Sequence, residues 1–115
     1  MACRLPGGDG LEAFWDLVLQ GQTAWGPLPE ARLSRELYYN REKSKIGKSY
    51  SELGGIISDR PVDRAICPIT PEMIEKYDIA HQIFLEVASL ACRDAGMDPF
   101  AMPANRRTGV YVGHT

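Results

Sequence analysis

The residues that follow Asp78 constrain what this chain can fold into more than any other stretch. At 3.6 residues per turn, Ile79, Ile83, Val87, Leu90 and Ala91 line one side of a helix, and Ala80, Phe84, Ala88 and Ala95 line another. Only Gln82, Glu86, Ser89 and Arg93 interrupt them, as a narrow polar stripe. A helix that is apolar around most of its circumference needs neighbours on several sides, so it belongs inside a larger body. The pattern predicts a helix over 79–95, capped by Asp78 and stopped by Gly96.

A second helix is predicted over 10–20, where Leu11, Phe14, Trp15, Val18 and Leu19 recur at the spacing of one face. Asp9 and Glu12 suit a capping box at its start, and Gly21 suits a left-handed stop. Pro27, Pro29 and Gly26 break regular structure, and residues 34–51 read as a polar, basic surface excursion with a short helical turn. Residues 53–58 (Leu-Gly-Gly-Ile-Ile-Ser) read as a short strand. Thr70 and Pro71 open a short helix over 71–77, with Glu72 near its positive end. The segment Gly109-Val110-Tyr111-Val112-Gly113 has the composition of a buried strand.

Charge excludes some partners. Thirteen basic and 15 acidic residues are mixed along the chain for a formal charge of -2, which sets up no field for nucleic acid or an anionic membrane. No apolar run is long enough to span a bilayer, and the first residues lack a secretory leader, so the expectation is a cytoplasmic protein. Cys3, Cys67 and Cys92 are odd in number and far apart, which fits reduced, structural thiols better than a disulfide framework or a zinc site. Lys43, Lys45 and Lys48 form a local basic patch, read as a solvated loop in preference to a contact for a phosphate-bearing partner.

Candidate chemistry fails on spacing. Ile-Gly-Lys-Ser at 46–49 lacks the glycine that a phosphate loop needs at position 42, which is Glu42. Leu-Pro-Gly-Gly-Asp-Gly at 5–10 lacks the strand-glycine-helix order of a dinucleotide fingerprint and reads as a tight turn. His81 and Cys92 lie roughly 16 Å apart along a helix at 1.5 Å per residue, too far to form a dyad. His114 reads as a structural histidine at a strand end. Glu86 and Arg93 are two turns apart, need a partner from elsewhere if buried, and suit a structural ion network rather than acid-base work. No metal cluster or activated nucleophile can be assembled, and the expectation is no catalytic, cofactor-binding or metal-ligating residue in 1–115.

Three stretches carry a family resemblance: Met1-Ala2-Cys3-Arg4-Leu5-Pro6-Gly7-Gly8 with the helix containing Phe14-Trp15, the run from Gly54 through Cys67 to Pro99, and Thr108 to Thr115. Together they resemble the N-terminal part of a β-ketoacyl synthase, in particular the ketosynthase domain of a polyketide-synthase-type multienzyme. The likeness is weakest over 34–51. At the start of the central helix, where family members commonly carry Asp-Pro-Gln-Gln-Arg, this sequence has Asp78-Ile79-Ala80-His81-Gln82 and keeps only the aspartate. That departure leaves the subtype open.

The resemblance implies an α/β chain that forms part of a thiolase-like αβαβα sandwich, an incomplete β-ketoacyl synthase N-terminal domain over 1–115 truncated mid-sheet at both ends. It implies a decarboxylating Claisen condensation in polyketide or fatty-acid-type synthesis. Acyl carrier protein would present the substrate on phosphopantetheine, and a second copy would complete a homodimer. No nucleic acid or membrane partner is implied. The family's nucleophilic cysteine and two histidines lie beyond the strand that resembles 109–113, so the chain alone is expected to be inactive. The alternative is a small α/β interaction module that binds through an exposed strand edge or the Lys43–Lys48 patch.

Overall fold

The computed structural model describes residues 1–101, 107 and 109–113. The chain divides into two compact units, Ala2–Pro61 and a second comprising Val62–Thr115 together with Met1.

In the first unit, β1 (Arg4–Leu5) and β2 (Gly8–Asp9) form a hairpin pairing Arg4 with Asp9 and Leu5 with Gly8. The connection is Pro6-Gly7, and Gly7 supplies a φ of 68° that a residue with a Cβ resists. Helix α1 (Leu11–Leu19) follows at once. It closes as the glycine stop at position 21 predicts: Gln22 N–H donates to Leu17 O at 3.1 Å and Gly21 N–H to Val18 O at 3.1 Å, with Gly21 at φ 61°. The start differs from the predicted capping box. The N-cap is Gly10 and no side chain caps the helix, because the Asp9 carboxylate is engaged by Arg60 and Ser58.

Strand β3 (Trp25–Pro27) lies where prolines and a glycine predicted a break. It pairs antiparallel with β4 (Leu53–Gly55), Trp25 facing Gly55 and Pro27 facing Leu53. Proline is tolerated at a strand terminus in a two-stranded ribbon because the N–H it lacks is not needed there, and Leu28 N–H resumes the pairing with Glu52 O at 2.7 Å. The strand predicted over 53–58 ends after Gly55. An added Cβ at position 54 would stand 2.7 Å from Leu28 Cδ2, so the Leu28 side chain would have to shift to admit it. Between these strands, α2 (Arg35–Tyr38) is the short helical turn expected in the basic excursion, capped by the Ser34 hydroxyl.

The second unit holds the hydrophobic core: Val62, Ile66, Cys67 and Ile74, with Ile83 and Leu85 packed against it. A 3₁₀ turn over Arg64–Ile66 and helix α3 (Pro71–Ile74) supply two of these residues, and α4 (Ile79–Asp94) lies against the 3₁₀ turn. Helix α3 is shorter than the predicted 71–77. Helix α4 matches its predicted span to one residue, with Asp78 Oδ1 accepting from Ala80 N–H at 2.8 Å. It ends like α1, Met97 N–H to Cys92 O at 2.9 Å and Gly96 N–H to Arg93 O at 2.9 Å.

The amphipathic face of α1 is open: Leu11, Phe14, Trp15, Val18 and Leu19 are all exposed, and Leu17 is the half-buried residue of the helix. On α4, two residues of the polar stripe, Glu86 and Ser89, are buried, while Ile79, Phe84 and Leu90 are exposed. Residues 109–113 form no strand, and Val110, Tyr111 and Val112 are exposed. A strand needs a neighbour to take its N–H and C=O groups, and no described residue pairs with this segment. His114 lies outside the described residues.

Candidate functional site

In the first unit the tightest polar constellation forms around Arg4. The β1–β2 register sets Arg4 opposite Asp9. The Arg4 guanidinium is buried and donates through Nη2 to Ser58 O at 3.0 Å and to Arg60 O. Arg60 in turn grips Asp9 with both arms, Nε to Oδ2 at 2.6 Å and Nη2 to Oδ1 at 3.1 Å, while Ser58 Oγ donates to Asp9 Oδ2 at 3.2 Å. The hydrogen bond from Arg60, chiefly, holds the Asp9 carboxyl below the usual aspartate range. An aspartate held ionised by a bidentate arginine makes a poor proton shuttle at neutral pH, so this group clamps the chain near residue 58 to the first hairpin.

The second unit builds its polar centre around Glu86, which is 1% exposed. Glu86 Oε1 accepts the Asp63 backbone N–H at 2.9 Å. Asp63 Oδ1 accepts from Ala65 N–H at 3.0 Å and caps the 3₁₀ turn, and the Cys67 thiol points at Asp63 O at 3.6 Å. Burial first, and then the negative charges of Glu86 and Asp63, push the Cys67 thiol up. Those are the opposite of the conditions that make a cysteine nucleophilic. Cys3 and Cys92 are free, half-buried thiols. The buried Glu86 thus finds a partner in a backbone amide, while Arg93 stays exposed on the same helix.

His81 and Cys92 both stand on α4, roughly 16 Å apart at 1.5 Å per residue. The His81 ring lies 6.5 Å from that of Tyr77, and the two line an apolar cleft of about 280 Å³ with Ile69, Phe84 and Leu85. Among the described residues, no three His, Cys, Asp or Glu side chains group as metal ligands, and no helix is long and apolar enough to cross a membrane. Lys43, Lys45 and Lys48 are exposed, Lys43 Nζ lying 5.2 Å from the centroid of the Tyr50 ring and Lys48 Nζ donating to Leu37 O. Sequence reasoning overlooked the Arg4 clamp, and the signal for it was the one arginine in an otherwise apolar and glycine-rich opening.

The two polar centres thus order backbone and supply no activated nucleophile. The chemistry must be sought at the level of the family. The family model for the β-ketoacyl synthase N-terminal domain matches residues 1–115, and the chain belongs to that family. Polyketide synthases are similar to it over almost its whole length: PksM of Bacillus subtilis is 32% identical over 96% of this chain, and the highly reducing synthase poxF of Penicillium oxalicum is 34% identical over 98%. A phenolphthiocerol/phthiocerol polyketide synthase of Mycobacterium bovis is also 34% identical over 98%. The chain spans only 3%, 5% and 6% of the length of these relatives. No solved structure matches it.

Proposed function

We propose that residues 1–115 are scaffolding of a ketosynthase domain whose complete form joins acyl units by decarboxylating Claisen condensation. In that reaction a cysteine thiolate outside this segment carries the acyl chain as a thioester. Malonyl held on the phosphopantetheine of an acyl carrier protein loses carbon dioxide, and the resulting carbanion attacks the thioester carbonyl. The carbon–sulfur bond breaks as the new carbon–carbon bond forms, and the cysteine is released. Histidines that stabilise the enolate oxygen also lie outside this segment. The complete domain in this reading is a cytoplasmic, thiolase-like homodimer, and this segment binds no cofactor of its own.

The observation that carries the reading is the family match across the whole of 1–115. The chemistry of the thiols supports it: Cys67 is kept protonated by its surroundings, and none of the three cysteines stands at a helix N-terminus, where a thiolate is favoured. The exposed faces of α1 and α4 also fit a segment made to be covered by more of the same domain.

Incubating the 115-residue chain with an acyl thioester and recording intact mass tests the assignment of roles. The expected result is no adduct on Cys3, Cys67 or Cys92. A stoichiometric acyl adduct on any of them overturns the scaffolding role and places chemistry inside the segment.

A further inference from the structure

We draw no further inference here: the strongest candidate, the apolar cleft of the second unit lined by Ile69, Tyr77, His81, Phe84 and Leu85, opens on a segment proposed to be covered by more of the same domain, and nothing in the structure shows what covers it.

Discussion

The two units of this chain are organised by opposite means. Every residue of the buried hydrophobic core, Val62, Ile66, Cys67 and Ile74, belongs to the second unit. In the first, the one buried side chain of any size is a cation, Arg4, and order comes from arginine-centred clamps. Arg4 and Arg60 fasten the hairpin, and Arg35 fastens Leu28 O, Glu30 and Glu52. Yet the first unit contains the more strongly patterned apolar face, on α1, and leaves it open. The lesson is that amphipathic spacing marks an apolar face without fixing whether anything in this stretch of chain covers it. Helix α4 teaches the converse, since its buried positions include Glu86 and Ser89 where an apolar pattern alone pointed elsewhere.

The contrast is sharpest under truncation of the core. Ile74 is 0% exposed, and Ile74→Ala should cost about 2–5 kcal/mol, as large-to-small core changes do. Amide hydrogen exchange should accelerate through α4 while the amides of the β3–β4 pair stay as they were. If the first unit loosened equally, the division of labour would be wrong.

Arg4→Met comes next. It keeps most of the apolar stem and removes the charged donors to Ser58 O and Arg60 O, each such bond being worth about 1.5–3 kcal/mol. The change should free the segment near residue 60 to limited proteolysis and leave the second unit intact. Unchanged proteolysis would mean that the clamp is decorative.

Asp9→Asn should be milder, because the pair is partly exposed and exposed ion pairs contribute about 0.2–1 kcal/mol. Its value lies in the pH dependence. The folded-state pKa of Asp9 is depressed, so its contribution is complete above the ordinary aspartate value near 3.9 and is lost as pH falls through the lower folded value. The parent should therefore lose more stability than the Asn variant between neutral and strongly acidic urea titrations. Identical acid slopes would show that the Arg60 contact does not hold in solution.

The smallest effect is expected from Trp15→Ser. Trp15 is 59% exposed on the open face of α1, and a surface change away from packed features stays within about 0.5 kcal/mol. In the 115-residue chain its urea midpoint should be unchanged and its solubility should rise.

How much of this was legible in the sequence follows from range. The helices at 11–19 and 79–94 and both of their glycine stops were readable, because periodicity and a left-handed residue act within one or two turns. The Asp78 cap was readable for the same reason. The Asp9 cap was misread because Arg60, 51 residues away, competes for the same carboxylate. Strand β3 was missed because its partner, β4, lies across the whole basic excursion, out of reach of any local pattern. That a buried Glu86 would need a partner from elsewhere was readable, but which partner was not: the amide it accepts from, at Asp63, belongs to an irregular segment with no periodic signal.

The proposed scaffolding role holds that the open apolar faces of this segment are covered within a complete ketosynthase domain. The two tryptophans, Trp15 and Trp25, report on it directly, each being 59% exposed in this chain. Acrylamide quenching of their emission should be compared between the 115-residue chain and the complete ketosynthase domain from the same source. The account predicts red-shifted, readily quenched emission from the short chain and a blue shift with protection in the complete domain. Emission and quenching that are the same in both would contradict it.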